Sequence, residues 1–101
     1  MEIVFDNNAI RKRCNRASGR LKQRLDDIRA ADNLSVLQIL PGRYHALRAD
    51  RLGEWACDLE QPYRLVFRPL GDPLPISKDG WLDTTKVIAV SILEVVDYHE
   101  H

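Results

Sequence analysis

The sequence predicts an α+β domain in which helices pack on one face of a sheet. Three observations lead there. Helical periodicity and capping residues fill the stretch before Pro41, strand alternation takes over from Tyr44, and a β-branched run occupies Val87 to Val96. A length of 101 residues supports one hydrophobic core rather than two, so the prediction is a single domain over 1–101.

Glu2 to Phe5 reads as a short strand. Asp6, Asn7 and Asn8 carry side-chain oxygens suited to an N-cap, which predicts a helix from Ala9 to Arg16. Ser18 and Gly19 interrupt it. Leu21, Leu25 and Ile28 then recur at i, i+4 and i+7, one apolar stripe on a helix from Gly19 to Ala31, with Lys22, Gln23, Asp26 and Asp27 turned outward. The two helices form a hairpin with one face against a sheet. Asp32 and Asn33 cap a further short helical stretch that closes at Pro41-Gly42.

Trp55, Cys57 and Leu59 alternate with Ala56 and Asp58, and Gln61-Pro62 marks a turn. Tyr63, Leu65 and Phe67 alternate with Arg64, Val66 and Arg68, so the two runs predict an antiparallel hairpin. Val87 to Val96 is apolar on both faces, as a strand covered by helices is. Between them Pro69, Gly71, Pro73, Pro75 and Gly80 predict an irregular surface excursion from Pro69 to Lys86 that carries Trp81. The expected architecture is a short N-terminal strand and a two-helix hairpin packed on a twisted antiparallel sheet of about four strands.

Composition is that of a soluble domain, 45% hydrophobic and 30% charged. The longest apolar run, Val87 to Leu93, is too short for a bilayer, and the opening residues lack a basic and apolar leader, so a cytoplasmic location is expected. Cys14 and Cys57 have no ligand-spaced partner and read as reduced thiols. Net charge is zero but unevenly placed: residues 1–51 hold eleven Lys/Arg and six Asp/Glu, residues 52–101 four and nine. Binding to a polyanion would therefore use a local patch, drawn from Arg11, Lys12, Arg13, Arg16, Arg20, Lys22, Arg24, Arg43, Arg48 and Arg51; the plainer alternative is a solvated helix face.

Proton-transfer groups gather at the tip of the last strand as Asp97, Tyr98 and His99. Alternation puts Asp97 and His99 on one face and Tyr98 on the other. A second group, His45, Arg48 and Arg51, precedes Trp55. Arg64 stands on the face opposite Tyr63, Leu65 and Phe67. Around one cleft these residues would supply what cleavage of an RNA phosphodiester by its own 2′-hydroxyl needs: a base for the 2′ proton, cations for the phosphorane and an acid for the leaving 5′ oxygen. No metal is required for that chemistry, and no cofactor is expected. Plainer readings stand beside it. His45 serves equally as a packing or surface residue, Arg48 and Arg51 as surface charges, Arg64 as a partner of Asp58 or Glu60, and Tyr98 as a core-edge aromatic. His99, Glu100 and His101 offer metal ligands but no third ligand fixed by spacing, and Trp55 fills a core as readily as it stacks on a base.

Three segments are specific enough to compare with a family: Tyr-His-Ala-Leu-Arg-Ala-Asp-Arg-Leu-Gly-Glu-Trp at 44–55, Tyr-Arg-Leu-Val-Phe at 63–67 and Asp-Tyr-His at 97–99. In order and spacing the chain resembles, from Leu21 to His99, the HigB-like branch of the RelE/ParE superfamily, the toxins of bacterial type II toxin-antitoxin modules. The resemblance implies a RelE-like fold and a ribosome-dependent endoribonuclease, an mRNA interferase that cuts messages during translation. Carried over by position, His45, Asp97, Tyr98 and His99 match residues implicated in catalysis, and Arg48, Arg51 and Arg64 match residues that hold the phosphate. The implied partners are mRNA on the ribosome and a helix-turn-helix, HigA-like antitoxin, through which the complex reaches operator DNA; no membrane partner is implied. Ala49 stands where the family usually has Gly, and the 69–86 loop is longer than in compact members. Two other functions remain open: a ParE-like inhibitor of DNA gyrase, although such members lack the two histidines, and a catalytically inactive binding module of the same fold.

Overall fold

The computed structural model describes residues 1–98 and arranges them as β1 (Glu2–Phe5), α1 (Asn8–Asn15), α2 (Gly19–Ala30), α3 (Leu34–Leu37), β2 (His45–Ala46), β3 (Trp55–Asp58), β4 (Tyr63–Pro69) and β5 (Ala89–Asp97). Asparagine side chains start two of the helices. Asn7 accepts from the Ile10 amide at 3.0 Å and Asn33 from the Val36 amide at 3.3 Å, each satisfying a first-turn N–H that has no partner within its helix.

The α+β class holds, but the sheet differs from the expected antiparallel set of about four strands. It has five strands in the order β1-β5-β4-β3-β2, and it is mixed because β1 runs parallel to β5. Four residues of alternating burial carry no mark of the partner they will find more than eighty residues later, so this pairing was invisible to local pattern. β2 is a two-residue edge strand on β3.

One face of the sheet carries Trp55 and Cys57, Leu65 and Phe67, and Val90 and Ile92, matched across the strands by register and packed into one cluster with Ile10, Cys14, Leu25, Ile28, Leu34 and Leu37 of the helices. Phe67, Ile28 and Ile92 are fully buried, and each such side chain contributes about 1.5–3 kcal/mol through the water it leaves. Tyr63 departs from the predicted inward set: at the outer end of β4 it is 44% exposed. Cys14 and Cys57 are buried in this cluster and unbridged.

A bulge in β5 sets which way the strand tip faces. Val66 pairs with Glu94, but the next residue, Phe67, pairs with Ile92, leaving Leu93 as the extra residue. Before the bulge the even positions Val90 and Ile92 face the helices; after it Val95, opposite Leu65, takes that side. Val96 and Tyr98 are thereby turned to the open face, and Asp97, opposite Tyr63, to the helix side.

The 69–86 segment is more ordered than its proline content predicts. Pro69 belongs to β4, Ile76 and Leu82 form a bridge, and Thr84–Lys86 make a one-turn 3-10 helix. Arg24 is also misread by pattern, for it is buried and donates from Nε to the Asp58 carbonyl at 2.8 Å rather than joining a basic patch. Gly42, at φ +122°, leaves room for it; a Cβ there would stand 2.8 Å from the Arg24 Nε. No helix among the described residues is long and apolar enough to cross a membrane.

Candidate functional site

The open face of the sheet bears a hollow of about 360 Å³. Its floor is Ala56, Val66 and Val96, three small or β-branched side chains from three adjacent strands. Its walls mix cations with one carboxylate and one aromatic ring: Leu47, Arg48, Asp50 and Arg51 from the segment before β3, Arg64 from β4 and Tyr98 from just past the end of β5. Alternation along β4 dictates this placement, because Leu65 and Phe67 are in the core and Arg64 must leave on the other side.

The Arg64 guanidinium lies over the Tyr98 ring, its carbon 4.1 Å from the ring centroid. Its Nε is buried with no hydrogen-bond partner among the described residues, although buried polar groups are paired as a rule. The plainer alternative, a pairing of Arg64 with Asp58 or Glu60, is not made among the described residues. Asp58 takes two bonds from Arg43 instead, Nε to Oδ2 at 2.7 Å and Nη2 to Oδ1 at 3.2 Å, and Glu60 accepts from the Arg20 amide. Arg43's hydrogen bonds chiefly, with the charges of Arg64 and His45 behind them, hold the Asp58 carboxyl below its ordinary pKa.

Arg51 reaches the hollow with its charge already matched. It meets Glu54 Oε1 at 2.7 Å and Glu94 Oε2 at 3.3 Å, which fastens the 48–54 segment to β5. Arg48 makes no ion pair among the described residues, and it stands at the start of a turn in which Ala49 has φ +57°. That is a left-handed backbone which glycine adopts freely and alanine only at a cost.

His45 does not line the hollow, but it is on the same side of the sheet. It faces Ala56 across the β2–β3 pair, and Ala56 is part of the hollow's floor. Its Nδ1 sits 2.6 Å from the Arg43 carbonyl oxygen. A carbonyl can only accept, so in the neutral ring Nδ1 carries the proton and Nε2 is left as the acceptor. Arg43 thus links two parts of the site, gripping Asp58 with its side chain and orienting His45 with its carbonyl at φ +51°. Sequence reasoning counted Arg43 only among basic-patch residues; the signal was the Pro-Gly-Arg turn two residues before a histidine.

The described residues therefore bring Arg48, Arg51, Arg64 and Tyr98 around one space, with His45 beside it. Asp97 is not in that group, since its register puts it on the helix side of the sheet. His99, with Glu100 and His101, lies outside the described residues. No protein-family model matches the chain, and no curated protein does.

Proposed function

We propose that this protein is a HigB-like toxin of the RelE/ParE superfamily, an endoribonuclease acting on mRNA in translation. One observation carries the reading: three guanidiniums, two from the turn before β3 and one from β4, meet over an apolar floor with a phenol ring against one of them. Arg48 and Arg64 offer planar N–H donors that make no ion pair among the described residues, which suits the oxygens of a phosphodiester. The left-handed turn at Ala49 adds support, because it gives a physical reason for the glycine that the family pattern has there. On this reading the helix pair on its sheet is a RelE-like arrangement extended by the parallel strand β1.

The chemistry follows from the groups. A base removes the 2′ proton, the 2′ oxygen attacks phosphorus, the P–O5′ bond breaks, and an acid protonates the departing 5′ oxygen, leaving a 2′,3′-cyclic phosphate and a 5′-hydroxyl. His45, with Nε2 as acceptor, and Tyr98, with its phenol, are the described candidates for proton transfer, joined by His99 from the resemblance. Arg64 and Arg48 stabilise charge on the phosphorane.

A binding-only module is the second reading. It draws on the two carboxylates that occupy Arg51 and on the face that Asp97 takes, both of which thin the catalytic set. Primer extension on a translated message, with and without expression of the protein, separates the readings. Cuts inside codons that vanish in Arg64→Ala support the nuclease. Growth arrest with intact transcripts that survives His99→Ala and Tyr98→Phe refutes it and favours gyrase inhibition or binding alone.

A further inference from the structure

Beside the hollow runs a second, larger depression of about 650 Å³, bounded by β2, the edge of β3 and the 74–84 loop. Leu47 lines both. The larger one is mainly apolar, and it carries the two most solvent-exposed apolar side chains near the site, Trp81 at 75% and Leu52 at 80%. An exposed cluster of this kind on a small domain marks a binding surface. Trp81 is also held in place. Its amide donates to the Ser77 hydroxyl at 3.2 Å, its carbonyl accepts from the Ser77 amide at 2.7 Å, and the Ile76–Leu82 bridge closes the turn around it. The indole is thus carried on a hydrogen-bonded turn.

A ligand that spans both depressions has an anionic part for Arg48 and Arg64 and, directly joined to it, a flat apolar part for Trp81. A nucleotide within a single strand has that build. Every base offers a face to an indole, and Gln38 and Thr84 along the larger depression supply an amide and a hydroxyl for base edges. A peptide adding a strand to this edge is less well served, because β2 is two residues long and offers few backbone groups.

We propose that this second depression is a base-binding subsite, in which the base of a nucleotide next to the phosphate held in the hollow stacks on Trp81. The proposal rests on the RNA reading of the hollow. Its probe is a 2′-O-methyl hexaribonucleotide, which cannot be cut by 2′-oxygen attack, compared at low salt with versions carrying one abasic nucleotide at each position in turn. Wild-type protein loses about five- to a hundredfold in affinity when one particular base is absent. Trp81→Ala shows the same loss on the intact strand and no further loss on that abasic one, Trp81→Phe keeps most of the affinity, and Arg64→Ala weakens both strands alike. If Arg64→Ala weakens binding while Trp81→Ala binds intact and abasic strands as wild type does, the subsite is refuted and the nuclease reading survives. If the Trp81 pattern holds while primer extension finds no cuts, the subsite stands and the nuclease reading falls. If wild type binds neither strand while an acidic amphipathic peptide binds in a Trp81-dependent way, the surface belongs to a protein partner and the proposal is overturned.

Discussion

The guanidinium of Arg64 lies over the ring of Tyr98, 4.1 Å from its centroid; Arg64 is on β4, and Tyr98 is the residue that follows the antiparallel β5. Each fixes the other at the edge of the hollow. Tyr98→Phe keeps the ring against Arg64 and loses only the hydroxyl, whereas Tyr98→Ala loses both. Cleavage of translated mRNA should therefore fall less in Tyr98→Phe than in Tyr98→Ala if Tyr98 acts mainly by holding Arg64. Equal losses would assign its role to the hydroxyl. Arg64→Ala should lower the single-turnover rate by about 10²–10³-fold, the loss typical of a preorganised group at a developing charge. Arg64→Lys should recover little, because a point charge neither stacks nor forks.

His45 is turned by the Arg43 carbonyl, not by a carboxylate. If Nε2 carries a proton in the reaction, His45→Ala should reduce cleavage by about 10²–10⁴-fold. The partly exposed ring sits on a two-residue edge strand, so the urea midpoint should hardly move. A large drop in midpoint together with unchanged cleavage would make His45 a packing residue.

Ala49 at φ +57° identifies a substitution that should stabilise the fold. A left-handed non-glycine residue costs about 1–2 kcal/mol. Glycine returns part of that gain through its freer unfolded chain, about 0.5–1 kcal/mol. Ala49→Gly should thus raise stability by about 0.5–1 kcal/mol in chemical denaturation, with the hollow unchanged. A lower midpoint would show that the turn is not left-handed.

Asp58 gives a pH signature. Its carboxyl is held below the ordinary value of 3.8, chiefly by Arg43, so the stabilisation from this pair is complete above that value and drains away as pH falls through the native one. Arg43 is largely exposed and the pair is open to salt, which limits it to about 0.5–1 kcal/mol. Thermal melts of wild type and Asp58→Asn should differ at neutral pH, the variant being lower, and converge in acid. A gap that persists in acid would locate the effect elsewhere.

The helices were legible because their signals are local. Leu21, Leu25 and Ile28 need only one another to define a stripe, and Asn7 and Asn33 cap their own helices. The β3–β4 hairpin was legible for the same reason, and with it the direction of Arg64. What stayed hidden depends on distant partners: β1 on β5, Arg51 on Glu94, Arg43 on Asp58. The bulge at Leu93 is the sharpest instance. Alternation counted from Val90 and Ile92 turns Tyr98 inward and Asp97 outward, and one extra residue reverses both.

The position of β5 between β1 and β4 has a consequence for synthesis. Until residues 89–97 have been made, β1 has no neighbour and β4 lacks one of its two, so a growing chain cannot close its sheet or seat Tyr98 against Arg64. Contacts this distant in sequence form slowly and late. Assembly of the hollow thus waits for β5, and a nascent chain stopped before Ala89 carries the arginines without the strand that gathers them.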